Sequence, residues 1–182
     1  MKRSKSLKLA LMGASVLALS ACEEPQDVAI FENVDQCTQQ DGFDRSACEE
    51  NMKLAQDEHL RVSPKYTSVE DCEADFGSTQ CEIAPVQTSS GGSVFMPLMM
   101  GYMMGNMLSG GSRVATQPLY RSADDPKSFR TGDNQKVAGK TGISKVPANV
   151  AKAPTTKTST VRRGGFGASA PKMSSSRRSF GG

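Results

Sequence analysis

The chain has 182 residues, a formal net charge of +3 and only 5% aromatic residues. Its single histidine, His59, has no serine, cysteine or carboxylate at a spacing that predicts nucleophilic catalysis, so no catalytic residue is predicted. The small total charge hides three blocks: residues 22–82 carry a net charge of −12, residues 83–112 carry none, and residues 113–182 carry +11. Charge is therefore segregated along the chain.

Residues 1–21 have the pattern of an export signal. A basic start is followed by an uncharged, mainly apolar run from Leu9 to Leu19, which is too short to span a bilayer. The run ends in Leu19-Ser20-Ala21-Cys22, the pattern of a lipobox, which predicts cleavage and acylation of Cys22, with palmitate among the acyl chains. An ordinary signal peptide with a cysteine nearby by chance is the alternative. Because Glu23 rather than aspartate follows Cys22, we expect sorting to the outer membrane, facing the periplasm.

Four cysteines follow Cys22 in the acidic block. An even number in a short exported segment predicts two disulfides, because the periplasm is oxidising. Four cysteines allow three pairings. Residues 31–37 and 66–72 echo one another at an offset of 35 residues, and this repeat favours pairing within each unit, Cys37 with Cys48 and Cys72 with Cys81, although crossed pairing stays open. No Cys-x-x-Cys pair is present, so a thiolate metal site is not expected.

Helix-start signals recur in the same block. Three pairs resemble capping boxes: Asn33 with Gln36, Ser46 with Glu49, and Ser68 with Asp71. The longest helix is predicted from Ala47 to about Leu60, with Pro64 beyond its end. We therefore predict that residues 22–84 form a small α-helical domain stapled by disulfides, followed by a linker at residues 85–93.

Residues 94–109 form an uncharged segment rich in methionine and glycine, which predicts a short apolar helix. On a helical wheel a methionine stripe lies opposite two glycines: Met96, Met100, Met103 and Met107 against Gly101 and Gly105. A dozen helical residues span only about 18 Å, too little to cross a bilayer. Three roles stay open: packing against the stapled helices or another copy, shallow insertion beside the lipid anchor, and copper(I) binding by thioethers.

Residues 110–182 form a basic tail of mainly small and polar residues, predicted to be disordered. A short element repeats loosely near its end, and its arginines are candidate contacts for an anionic envelope component such as lipopolysaccharide, phospholipid headgroups or peptidoglycan: Arg162, Arg163, Arg177 and Arg178. The tail could instead fold back onto the acidic block or serve as a solvated spacer. Export argues against nucleic acid as a partner.

Five stretches carry a resemblance to a known family: Pro64-Lys65-Tyr66; Glu70-Asp71-Cys72 to Gly77 with Gln80-Cys81; Met96-Pro97-Leu98-Met99 with Gly101 to Gly105; Gln117-Pro118-Leu119; and Arg163-Gly164-Gly165-Phe166-Gly167. In these five stretches the chain resembles the uncharacterised enterobacterial family UPF0441, also called DUF1190. The likeness covers most of the chain after the signal, and this chain looks shorter than typical members around the linker and tail. The resemblance implies no catalytic residue and no cofactor.

Together these features predict a non-enzymatic envelope lipoprotein, acting as a membrane-anchored structural or interaction protein without a cofactor. Self-association through the methionine segment is one expected contact. The alternative hypothesis is a periplasmic copper(I)-handling protein that uses the same methionines.

Overall fold

The computed structural model describes residues 24–105, 114–161 and 164–168. Within these residues the helices are α1 (Val34–Thr38), α2 (Arg45–Val62), α3 (Val69–Phe76) and α4 (Ala148–Ala151). The strands are β1 (Gln26–Phe31), β2 (Cys81–Gln87), β3 (Ser93–Pro97), β4 (Gly101–Gly105), β5 (Gln117–Ser122), β6 (Asp125–Arg130) and β7 (Gly142–Val146).

Five strands form one antiparallel sheet in the order β6-β5-β4-β1-β7, and β2 and β3 form a separate hairpin. β1 is paired on both sides. Its Val28 lies opposite Gly105 of β4 and opposite Ser144 of β7. The acidic block therefore supplies a strand that lies between the methionine segment and the basic block.

The sequence of β1 suits this inner position because both of its faces are buried. Val28 and Ile30 pack into one apolar cluster with Met103 and Leu119, whereas Ala29 and Phe31 pack into another on the opposite face. A strand buried on both faces reads as a continuous apolar run rather than as an alternation. Each such side chain contributes about 1.5–3 kcal/mol when it is fully buried.

Each face of the sheet is covered by a different part of the chain. On one face lie Val150 and Ala151 of α4 together with Val137 and Ala138. On the other lie α1 and α2, whose contact includes the disulfide between Cys37 and Cys48. The sheet is therefore a central layer between two coverings.

The predicted α-helical fold class is wrong, because the architecture is mostly β-sheet. Three helices do form in the acidic block, and Asn33 and Ser68 cap α1 and α3 as expected, although Asp44 rather than Ser46 caps α2. The same block also supplies β1 and β2. β1 has no partner strand within its own block, so a pattern search confined to neighbouring residues does not find it.

The predicted methionine helix is also wrong, because this segment forms β3 and β4. Met103 and Met104 belong to clusters on opposite faces of the sheet, which is the two-residue period of a strand. Gly101 permits the close approach of β4 to β1, since a Cβ there would lie 2.7 Å from the carbonyl oxygen of Phe31. The helical spacing of the methionines therefore did not reflect their structure.

The expectation of a disordered tail fails for its described part. Residues 117–146 contribute three strands, and Leu119, Phe129 and Val146 are completely buried. These apolar residues are sparse in the sequence, and they find burial only when β4 and β1 are in place. The sheet also supplies the backbone hydrogen bonds that such a segment lacks alone.

The structure contains the two predicted disulfides, Cys37–Cys48 and Cys72–Cys81, each within one repeat unit. The first links α1 to α2, and the second links α3 to the start of β2. Each loop closes roughly ten residues, for which the chain-entropy model gives about 3 kcal/mol of stabilisation.

Gly101→Ala is expected to lower the free energy of unfolding by about 1–3 kcal/mol, because the new methyl group must displace the backbone of β1. Urea denaturation measures the change. Gly139→Ala is the matched control, since its Cβ would meet its nearest neighbour at an ordinary 3.6 Å. Equal stability of the two variants would contradict the proposed close approach.

Candidate functional site

The candidate site lies where β1 ends and β4 begins, and its centre is a cluster of four aromatic rings. Tyr66, Phe76, Tyr120 and Phe166 are all buried, and they come from distant parts of the chain. Phe76 lies 4.7 Å from Phe166 and 6.2 Å from Tyr120, measured between ring centroids. Phe76, the last residue of α3, therefore packs against both Tyr120 of β5 and Phe166.

Asp75, also on α3, is a buried carboxylate with four hydrogen bonds. The Tyr66 hydroxyl donates to it at 2.8 Å. Three successive backbone N–H groups also donate to it: Gly164 at 2.7 Å, Gly165 at 3.1 Å and Phe166 at 3.2 Å. Burial and the hydrogen bond to Asp75 raise the pKa of Tyr66 well above its ordinary value, so its hydroxyl remains a donor. Amide donors offset the desolvation of the carboxylate.

Residues 164–168, which we call the glycine latch, are bound by the rest of the protein much as a peptide ligand would be. Phe166 enters the aromatic cluster. Asn134 and Gly167 exchange two hydrogen bonds, with the Asn134 amide donating to the Gly167 carbonyl at 2.9 Å and the Gly167 N–H donating back at 3.0 Å. Gly167 has φ +98°, and a Cβ there would clash with the carboxylate of Asp124. Only glycine suits this position.

A second buried polar group adjoins the cluster through Tyr120. The Tyr120 hydroxyl lies 2.8 Å from Nδ1 of His59, and Nε2 of His59 lies 3.5 Å from a carboxylate oxygen of Glu82. Burial lowers the pKa of His59, Glu82 acts in the opposite direction, and the charge of Lys65 lowers it further. Burial, together with the charge of Glu58, raises the pKa of Tyr120. Both rings are therefore neutral at pH 7.

Both members of this His–Tyr pair are buried. Tyr120 has no exposed surface, and His59 is only 6% exposed. A general acid or base must come within hydrogen-bonding distance of its substrate, and this burial leaves little surface for such an approach.

A shallow groove of about 210 Å³ opens beside the aromatic cluster. Its lining combines four apolar residues with three polar ones: Phe76, Leu98, Met100 and Pro126 with Gln80, Arg121 and Ser122. The guanidinium of Arg121 lies 4.2 Å above the Phe129 ring and pairs with Glu32 at 2.8 Å. Its Nε is buried with no hydrogen-bond partner among the described residues. The groove therefore offers an apolar surface with one cation at its edge.

The structure disperses the predicted methionine contact segment. Met96 packs with Ala84 and Val94 in the β2–β3 hairpin, whereas Met103 lies in the sheet core, against which Met100 packs while it also lines the groove. Gly101 and Gly105 are the first and last residues of β4 rather than part of a helix face. Met107 lies outside the described residues, as do Cys22 and the four tail arginines Arg162, Arg163, Arg177 and Arg178.

Asp75, Tyr66 and the glycine latch were not identified as site residues from the sequence. A signal was nevertheless present, because these residues belong to three of the stretches that carry the family resemblance. Phe166 lies 91 residues after Asp75 in the sequence, and all three stretches meet around this one carboxylate. Three of the stretches that carry the family resemblance are therefore in contact with one another in the fold.

Among the described residues, no group of three or more histidine, cysteine, aspartate or glutamate side chains is placed to hold a metal ion. No helix in the same residues combines the length and apolar character needed to cross a membrane.

Comparison with known proteins gives a consistent family match. The profile of the family described as "Protein of unknown function (DUF1190)" matches residues 25–177. A "UPF0441 protein" of Yersinia pestis is 38% identical over 94% of this chain and 84% of its own length. Similar proteins of Erwinia tasmaniensis and Pectobacterium atrosepticum are 35% and 36% identical over 93% and 94% of this chain, covering 83% and 84% of their own lengths. No solved structure matches.

Asp75→Asn is expected to release the glycine latch while the sheet stays folded. The amide nitrogen of asparagine donates hydrogen bonds, so it cannot accept one from the backbone N–H groups of the latch as a carboxylate oxygen does. Hydrogen bonds to a charged group contribute about 1.5–3 kcal/mol each, so losing one reduces exchange protection about tenfold or more. Hydrogen exchange at residues 164–166 measures the release. Glu70→Gln, an exposed change on the same helix, is the control. Unchanged protection in Asp75→Asn would contradict the role of this carboxylate.

His59 is expected to make stability fall as the pH drops below about 6.5, its ordinary pKa. The pKa of the folded state is lowered, so the unfolded chain takes up the proton first, and stability is lost between the ordinary pKa and the folded one. Urea midpoints at pH 8 and pH 5.5 test this. His59→Asn, which keeps a polar group near Tyr120, should flatten the dependence. A parallel decline in both proteins would assign the effect to other groups.

Proposed function

The chain belongs to the DUF1190 family, whose function is unknown, and from that premise we propose that it is a non-enzymatic envelope lipoprotein. It acts as a membrane-anchored structural or interaction protein, held by acyl chains on Cys22. The observation that carries this proposal is a compact sheet domain crosslinked by two disulfides, whose first strand begins at Gln26, directly after the lipobox. Structural disulfides persist in oxidising compartments, which favours export.

The groove beside Arg121 is the surface that best suits an interaction. Pockets for small-molecule substrates usually enclose about 300–1,000 Å³, whereas this groove has about 210 Å³. It is large enough for one or two side chains of a partner. The nearby titratable groups, Asp75 and His59, are buried and engaged with the protein itself. These features favour binding over catalysis.

The tail arginines extend the same proposal to an anionic envelope component. Arg162 and Arg163 immediately precede the latch, which docks at the edge of the site through Asp75. Cations that adjoin the latch in the sequence suit lipopolysaccharide, phospholipid headgroups or peptidoglycan carboxylates. Such a contact weakens with added salt, because exposed charges are screened over about 8–10 Å.

Copper(I) handling is the alternative proposal, and the geometry favours it less. Thioether sites need several sulfur atoms around one ion. Met96 lies in a cluster of its own. Met100 packs with Met103 and Met99 packs with Met104, but these two pairs belong to clusters on opposite faces of the sheet. Tight binding of Cu(I) by the purified protein would favour this alternative.

Cys22→Ser is expected to abolish labelling by radioactive palmitate and to leave an unprocessed precursor, because a serine hydroxyl does not replace the acylated thiol. Ser20→Ala keeps a small residue in the lipobox and should be labelled like the natural protein. Gel fluorography with membrane fractionation measures both effects. An unlabelled natural protein in the soluble fraction would defeat the proposal.

The outer-membrane assignment has its own test in the same fractions. Glu23→Asp should move the labelled protein to the inner membrane, because aspartate after the acylated cysteine is the retention signal in enteric bacteria. If the natural protein and the variant fractionate together, sorting by this position is excluded.

A further inference from the structure

We infer that the folded body lies directly on the lipid headgroups in one orientation, with the end where β1 begins facing the membrane and the Arg121 groove facing away. The inference rests on the proposed acylation of Cys22. It adds an interaction surface, the membrane-facing end of the sheet, and it names the partner of that surface as lipid headgroups.

The tether between the anchor and the sheet is too short to let the body turn freely. Three residues lie between Cys22 and Gln26, the first residue of β1, so four residue-to-residue steps join the two. A fully extended chain spans at most about 3.3–3.6 Å per residue, so this tether reaches about 14 Å. Pro25 restricts it further by fixing one backbone dihedral. The start of β1 must therefore lie within about 14 Å of the acylated residue.

The antiparallel register identifies what else lies at this end. Gln26 pairs with Val146, the last residue of β7, and Val28 pairs with Gly105, the last residue of β4. α4 follows β7, and the N–H of Ala115 donates to the carbonyl of its Ala151 at 3.1 Å. Among the described residues, the membrane-facing end is therefore formed by the end of β7, by α4 and by the chain just before β5.

The chemistry of this end suits lipid headgroups. Lys152 follows α4 and is exposed, and the side chain of Lys145 on β7 is 71% exposed. Both carry ammonium groups that can approach lipid phosphates. Lys145 also pairs with Asp27 at 3.6 Å, so the end carries both signs of charge. The short tether sets the orientation of the folded body, and the two lysines make the surface of this end compatible with lipid phosphates.

The groove lies at the opposite end of the same sheet. Phe31, the last residue of β1, pairs with Tyr102 near the start of β4, and Glu32 pairs with Arg121. Met100, immediately before β4, lines the groove. A strand rises about 3.3 Å per residue, so six residues of β1 place the groove about 17 Å beyond the membrane-facing end. A partner in the periplasm could therefore reach it without crossing the headgroups.

Two exposed lysines provide matched probe positions at the two ends. Lys140 lies before β7, whose Gly142 pairs with Ile30, whereas Lys152 lies after α4. A small fluorescent amino acid replaces either lysine in the full-length lipidated protein. The protein is reconstituted in vesicles of phosphatidylethanolamine and phosphatidylglycerol that contain spin-labelled lipid. We expect quenching at position 152 to exceed quenching at position 140 several-fold.

A spacer variant tests the cause. A twelve-residue Gly/Ser insertion between Glu24 and Pro25 gives a flexible tether of about 20 Å, estimated as 5–6 Å times the square root of its length. It should make quenching at the two positions nearly equal. Equal quenching with the natural tether, or a contrast that survives the spacer, would overturn the inference.

Intact mass spectrometry of the same preparation separates this inference from the proposal beneath it. A protein without acyl mass overturns both the lipoprotein proposal and the orientation. An acylated protein without the expected contrast in quenching overturns the orientation alone.

Discussion

The structure depends on the burial of β1 from every direction. Its backbone is paired on one side with β4 and on the other with β7, and its side chains fill apolar clusters on both faces. An unpaired backbone group away from water costs about as much as a lost hydrogen bond. The acidic block therefore cannot complete its fold until the methionine segment and the basic block have joined it. Through this strand, the acidic block, the uncharged methionine segment and the basic block become parts of one sheet.

Charge attraction between the acidic and basic blocks contributes less than this burial. The ion pairs that cross between them include Glu32 with Arg121 at 2.8 Å and Asp27 with Lys145 at 3.6 Å, and all four side chains are at least partly exposed. Exposed pairs typically contribute about 0–1 kcal/mol each. The buried carboxylate of Asp75 differs, because three backbone amides and a hydroxyl surround it. Specific hydrogen bonds, rather than net charge, attach the glycine latch to the acidic block.

The two ends of the sheet have different tasks in the proposed function. In that proposal one end would lie next to the acylated cysteine, whereas the other carries the groove, the aromatic cluster and the glycine latch. The disulfide Cys72–Cys81 fixes α3, which supplies Asp75 and Phe76 to that far end. Rigid support of a binding surface by crosslinked elements reduces the entropy lost on association. A short tether and a stiff body would together present the groove at a defined height.

The sequence by itself determined the features that depend on neighbouring residues: the two disulfides, the caps at Asn33 and Ser68, the approximate position of α2 and the family. Apart from the family resemblance, which separated stretches carry, each of these features depends on residues within about a dozen positions of one another. Only the tertiary structure decided that Val28–Phe31 is a central strand. It also decided that Gly101 lets β4 approach the carbonyl oxygen of Phe31, and that the Asp75 carboxylate accepts hydrogen bonds from the N–H groups of residues 164–166. These contacts join residues roughly 70 to 120 positions apart. A strand holds no hydrogen bonds within itself, so its existence depends on partners that no local pattern can reveal.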